Sequence, residues 1–147
     1  MYELANSYYE AGDYVKAKRL YEVVAPKYAG RPQGERLNFF FAIANFLTGT
    51  YFESSYQFER FIKAYPNSDK REEASFLEAA SYYRMSPRFS LDQTDTDTAL
   101  QKLQSFINDY PDSEYFEFAN EMVQTLNVKK QQKAFEIAKQ YDKLGEF

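Results

Sequence analysis

The chain has 147 residues, the length of one domain or one short array, and its 44% hydrophobic content is enough to bury a core. It has no cysteine and no histidine, which removes zinc and iron–sulfur ligation, thiol catalysis and every histidine-dependent base or nucleophile. Net charge is a mild −4 with the basic residues scattered, so the electrostatic footprint of a nucleic-acid binder is missing.

The apolar share is unusual in kind. Fourteen Tyr and fourteen Phe supply most of the bulk and Trp is absent, so the packing must be ring-rich, with many hydroxyls needing a partner or water. A chain without cysteine can live in either redox compartment. The sequence shows no apolar run of spanning length and no secretory leader.

In chain order, the first unit (about residues 1–29) places Ala5 and Tyr8 on one helix, turns at Gly12-Asp13-Tyr14, and continues through Ala17, Tyr21 and Val24 on a second. The second unit (35–66) repeats this 37 residues later, with Ala42 and Asn45, Gly49-Thr50-Tyr51, then Ser54, Phe58 and Phe61. Tyr65-Pro66 ends its second helix, because proline has no amide proton and forces its predecessor out of the α region. Ser68 then stands where a hydroxyl caps a new helix, with Glu72 near its first turn.

The third unit (71–111) carries Ala79 and Tyr82 in the same register, but its Tyr110-Pro111 falls 45 residues after Tyr65-Pro66. An insert accounts for the difference. MSPRFSLDQTDTDT, residues 85–98, reads as a long loop before Ala99, Leu103 and Phe106 resume the pattern. Asp92, Asp95 and Asp97 lie close together, but the spacing, glycine and terminal Glu of a calcium loop are missing, so no metal is expected. Asp95, Thr96 or Asp97 instead suits the cap of the helix containing Ala99. Ser113 and Glu117 repeat the restart.

Apolar periodicity then runs through Phe116, Ala119, Met122, Val123 and Leu126, with Asn127 as the expected break or bend. KKQQK, residues 129–133, reads as a solvated helix face. Ala138, Tyr141, Gly145 and Phe147 copy the spacing of Ala5, Tyr8, Gly12 and Tyr14, so the segment 113–144 is expected to open a further unit over 132–144. The first helical pattern starts at Met1 without a cap and the last stops at its turn, which gives the expectation of a segment from a longer array.

Small residue, aromatic, Gly-x-aromatic, small, aromatic and Pro, in that order, resemble the tetratricopeptide repeat. The expected fold is therefore all-α, a tetratricopeptide-repeat solenoid of antiparallel helix pairs in right-handed superhelical stacking. Small residues at Ala5, Ala17, Ala42, Ser54, Ala79 and Ala99 let paired helices approach while aromatics fill the neighbouring holes.

The run YxxAxxYYxxGDYxxAxxLYE, the two Tyr-Pro-(Asn/Asp)-Ser steps and the insert with Asp92-Gln93-Thr94 together resemble the BamD family, lipoproteins of the outer-membrane β-barrel assembly machine. That resemblance covers essentially the whole chain. It implies a non-catalytic protein at the periplasmic face of the outer membrane, docking on the POTRA domains of BamA and helping recognise unfolded outer-membrane proteins. Family members carry a lipid-modified cysteine upstream and further helices downstream that contribute to the BamA contact, so the resemblance puts both the anchor and those helices outside this sequence.

First helices line the concave side of such a stack. The Ala register puts Tyr2, Asn6, Tyr9, Arg36, Phe39, Ile43, Phe46, Phe76, Tyr83 and Arg84 there, a groove able to stack an extended peptide with aromatic side chains, pair its backbone and meet a carboxylate. The competing reading is core packing for the aromatic stripe and weak surface pairing for the arginines. Arg88, Phe89 and Leu91 of the insert are candidates for a partner contact. A second function within the binding class is another periplasmic repeat adaptor, coordinating cell-envelope or cell-wall synthesis by peptide binding; the long insert argues against its more regular units. An enzyme would need paired carboxylates in a cleft, and the acidic residues sit singly along helix faces. No cofactor is expected.

Overall fold

The computed structural model describes residues 1–86 and 94–145. Among them are seven helices and no strand: α1 (Tyr2–Glu10), α2 (Tyr14–Tyr28), α3 (Gly34–Leu47), α4 (Tyr51–Ala64), α5 (Arg71–Met85), α6 (Thr94–Asp109) and α7 (Phe116–Gly145). The fold is all-α, as the repeat implies.

Local chemistry sets most boundaries. Gly12 and Gly49 adopt φ of 83° and 82° just beyond α1 and α3, the left-handed conformation that closes a helix and that only glycine takes without strain. Asp13 caps α2, its carboxylate accepting from the Lys16 amide at 3.2 Å. Helices α4 and α6 stop at Ala64 and Asp109, immediately before the two Tyr-Pro steps. Ser68 and Ser113, expected as caps, lie two residues ahead of Lys70 and Tyr115, which immediately precede α5 and α7: their hydroxyls accept from the amides of those two residues, both at 3.1 Å, and so shape the turn that leads into the helix. The Ser68 hydroxyl also donates to the Glu35 carboxylate, joining two units.

Each helix packs on the next in the chain. The small residues read from the sequence lie at the crossings, and Ala5, Ala17, Ala42, Ser54, Ala79 and Ala99 are all fully buried. Ser54 and Ser81 share a buried hydrogen bond of 2.6 Å where α4 crosses α5. Three clusters form the core, centred on Tyr21 and Leu37, on Phe58 and Phe61, and on Leu103 and Phe106. Phe40 packs against the first two and Leu77 against the last two, so the clusters merge into one continuous apolar spine. Helix α3 also meets α5, and α5 meets α7, which puts the first helices of successive units on the inner side of the stack.

Three expectations are corrected. Helix α7 runs unbroken through Asn127, and 132–144 continues it rather than starting a separate helix. A lone Asn weakens a helix by only a few tenths of a kcal/mol, about 0.7 at most, which α7's packing overrides. The cap role expected of Asp95, Thr96 or Asp97 gives way to tertiary contacts for two of them: helix α6 starts at Thr94, the buried Thr96 hydroxyl shares a 2.6 Å hydrogen bond with Ser86, and Asp97 accepts from Lys130 of α7 at 2.9 Å. The lysine run is accordingly not wholly solvated. Lys129 and Lys130 are half-buried, with the Lys129 ammonium 5.6 Å from the Tyr83 ring centroid. Arg88, Phe89 and Leu91 lie outside the described residues.

Candidate functional site

The inner face is built from α1, α3 and α5. Tyr9 of α1 lies across Phe40 of α3 with centroids 4.7 Å apart and meets Tyr14 edge-on at 5.3 Å. The Arg36 guanidinium sits 5.1 Å from the Phe40 centroid. Cation, ring and ring thus form one layered platform spanning two units. Beneath it, the fully buried Tyr21 donates its hydroxyl to the Asn6 side-chain oxygen at 2.6 Å, which fixes Asn6 and joins α2 to α1.

Electrostatics extend the platform to the third unit. Burial pushes the Tyr9 hydroxyl up, and the neighbouring Tyr14 and the Glu73 carboxylate of α5 add to it. Tyr115, just ahead of α7, is raised by burial first and then by Glu73 and Glu114. Glu73 thus acts on a ring of the first unit and on the ring that precedes α7. Tyr21 is raised as well, by burial and then by Tyr2 and Tyr9. These phenols stay protonated at any physiological pH and act as hydrogen-bond donors.

The sequence-derived groove residues divide into three groups. Tyr2, Asn6, Tyr9, Ile43, Phe46 and Tyr83 are half-buried, and Arg36 and Arg84 are exposed, so these eight retain surface. Phe39 and Phe76, at 2% and 8% exposure, belong to the core instead. The reason is the following unit: Phe39 packs with Ala74 of α5 as well as Phe58 and Phe61, and Phe76 stacks on Tyr115 at 4.7 Å with rings only 10° from parallel. The structure brings Tyr9 and Arg36 together through Phe40. Tyr83 belongs to the third cluster, and Phe46 meets Tyr51 edge-on at 5.4 Å.

Phe40 is the site residue that sequence reasoning missed. Its signal was the triplet Phe39-Phe40-Phe41, in which three consecutive rings must face three directions around a helix. The insert candidates cannot be placed on this surface, being outside the described residues. Among the described residues no group of acidic side chains is arranged to hold a metal ion, and no helix is long and apolar enough to cross a membrane.

Paired helices, small residues at each crossing and an aromatic inner face define a tetratricopeptide-like solenoid. Within that class the chain belongs to the YfiO family of outer membrane lipoproteins, whose family model matches residues 1–147. A curated relative, the outer membrane protein assembly factor BamD of Caulobacter vibrioides, is 28% identical over 103 residues, which cover 70% of this chain and 34% of the relative. This chain spans about half the length of that relative at most.

Proposed function

We propose that the chain is a non-catalytic binding component of the outer-membrane β-barrel assembly machinery, which helps recognise unfolded outer-membrane proteins and docks on the POTRA domains of BamA. The observation that carries the reading is the platform of Tyr9, Phe40 and Arg36 on the inner face of a chain from this lipoprotein family. An unfolded barrel protein presents extended strands rich in aromatic side chains and ends in a carboxylate. Rings stack on Tyr9 and Phe40, Arg36 takes the carboxylate, and the protonated phenols pair with backbone carbonyls. Ile43, Phe46, Tyr83 and Arg84 extend the same surface along the stack. Binding of this kind needs no nucleophile, which agrees with the absence of His and Cys.

The test is binding of the 147-residue chain to a urea-unfolded outer-membrane barrel protein, with purified BamA POTRA domains as a second ligand. The variant Arg36→Glu with Phe46→Ala alters surface residues and leaves Phe39 and Phe76 in the core. Substrate affinity is expected to fall about tenfold or more in this variant, as for loss of a charge-assisted pair plus an aromatic contact. Unchanged substrate binding by a folded variant removes the groove, and no binding of either ligand by the parent chain removes the assembly reading.

A further inference from the structure

The first half of α7 packs by Ala119, Val123 and Leu126 and leaves its other face without a partner among the described residues. Phe118, Glu121, Thr125 and Val128, spaced three or four residues apart, form one stripe of that face, and all four are exposed, Phe118 at 58% and Val128 at 53%. The repeat explains why the solenoid's own pattern does not cover it. In the register of the Tyr-Pro steps, 45 residues apart, Glu121, Gln124 and Thr125 stand where α5 has the buried Phe76, Ala79 and Ala80. Gln124 thus replaces the small residue, Ala42 or Ala79, at which a first helix lets its second helix cross closely. This half of α7 therefore cannot receive a helix as α3 receives α4.

The ionisable groups of this stretch are all of one sign. No lysine or arginine stands between Lys102 and Lys129, while Asp109, Asp112, Glu114, Glu117 and Glu121 fall in that interval, are exposed, and form no ion pair among the described residues. Glu72 and Glu73 of α5 act on Tyr115 from the neighbouring helix and add to the same sign. The basic residues that bound the stretch are engaged elsewhere: Lys102 pairs with Glu78 at 3.1 Å, Lys129 lies over the Tyr83 ring and Lys130 pairs with Asp97. Those at the start of α5 are engaged too, Lys70 over the Phe39 ring and Arg71 on the Pro66 carbonyl. Compensation of the α7 dipole accounts for Glu114 and Glu117, but that effect fades within the first turn. Glu121 lies beyond that turn, and the dipole gives no reason for an exposed ring at Phe118.

We propose that this face of α7 docks a basic amphipathic segment of a partner protein, which lays an apolar side chain on Phe118 and sets lysines or arginines on Glu117 and Glu121. Charge complementarity selects this occupant, because a second copy presenting the same face, or an anionic membrane surface, brings like charge against it. A cation beside Phe118 gains from the ring as well as from the carboxylates. The site is separate from the Tyr9–Phe40–Arg36 platform, so its failure leaves the proposed function standing.

The test is a titration of the isotope-labelled 147-residue chain, followed by amide chemical shifts, with a short soluble peptide carrying lysines on both sides of a central Phe-Leu pair. The same peptide with glutamates for lysines, and one with Gly-Gly for Phe-Leu, serve as controls. Saturable shifts are expected at Glu117, Phe118 and Glu121 with the first peptide alone. Glu117→Lys with Glu121→Lys is expected to weaken binding about tenfold or more, and Phe118→Ser about fivefold or more, the effects of reversing charges and removing a ring at a docking site. Phe52→Ser with Glu53→Lys, which alters an exposed ring beside an exposed carboxylate on α4, is expected to leave affinity unchanged. All the substituted residues are exposed, so the variants keep the fold. Absence of saturable shifts, a smaller loss in either α7 variant, an equal loss in the α4 variant, or equal binding of a control peptide overturns the proposal. Shifts confined to Tyr9, Arg36 and Phe40 place the peptide on the inner face and overturn it too.

Discussion

Gly34 opens α3 without a left-handed backbone, and its requirement is space: a Cβ there would lie 2.1 Å from the Tyr28 carbonyl oxygen and 2.8 Å from the Tyr65 hydroxyl. Gly34→Ala must push two units apart, and the expected loss is about 1–3 kcal/mol, read from urea unfolding midpoints. Glu78 is a second residue whose cost is local. Burial holds its carboxyl above the ordinary range, and Lys102 counters only part of that rise. Lys102 is subject to burial too, yet the Glu78 carboxylate outweighs it and its amine is raised. A raised carboxyl contributes stability that is complete below the ordinary carboxylate range and is lost as pH climbs through the raised value. The stability of the parent relative to Glu78→Gln should therefore decline as pH rises from about 4 toward neutrality. Urea unfolding of both proteins across that window checks it, and a difference that grows with pH refutes it. The Lys102 contribution stays constant there, because the window lies well below any lysine titration.

At the scale of elements, the Tyr-Pro step is more than a terminator. The Tyr65 hydroxyl donates to the Arg31 carbonyl at 2.6 Å, tying the end of α4 to the turn between α2 and α3. Tyr65→Phe should cost about 0.5–1.5 kcal/mol by thermal or urea unfolding, toward the lower end because Arg31 still accepts from the Gly34 amide. Helix α7 shows what happens when the stop is missing. Gly12 and Gly49 end α1 and α3, whereas in the register of the Tyr-Pro steps the matching place in α7 is Gln131, a good helix former. The helix continues to 30 residues, about 45 Å. Its first half buries Ala119, Val123 and Leu126, while Phe135 in the second half is exposed. Amides beyond Gln131 should exchange with solvent about tenfold or more faster than those at 119–127. Equal protection across α7 in hydrogen-exchange measurements would contradict this.

Across the whole molecule, stability is carried by neighbour-to-neighbour packing. Phe58 is fully buried in the middle cluster, which Phe40 and Leu77 link to the clusters on either side. Phe58→Ala should cost about 3–5 kcal/mol and lower cooperativity, so that unfolding followed by circular dichroism and by tyrosine fluorescence no longer coincides. The same stacking separates two faces with different chemistry. Inner helices meet directly and present the Tyr9–Phe40–Arg36 platform, while outer helices stay apart and leave a groove between α2 and α4.

Helix pairing was legible because its signals are local. A small residue every 37 positions, a glycine seven residues later and a proline after tyrosine each act within a turn or two of themselves. The inner face was legible only in part. Register placed Tyr9 and Arg36 on it, but Phe39 and Phe40 are adjacent in a triplet of rings, and the choice between them rests with Ala74, which α5 lays over Phe39 from 35 residues away. The fates of Thr96 and Lys130 were hidden for the same reason, since their partners are Ser86, just past the end of α5, and Asp97 of α6. By itself the sequence determined that this protein is a stack of helix pairs and where most helices stop, because dihedral preference and the missing proline amide act on single residues. Only the tertiary structure decided which rings are core and which are surface, because burial depends on the helix that arrives from the next unit.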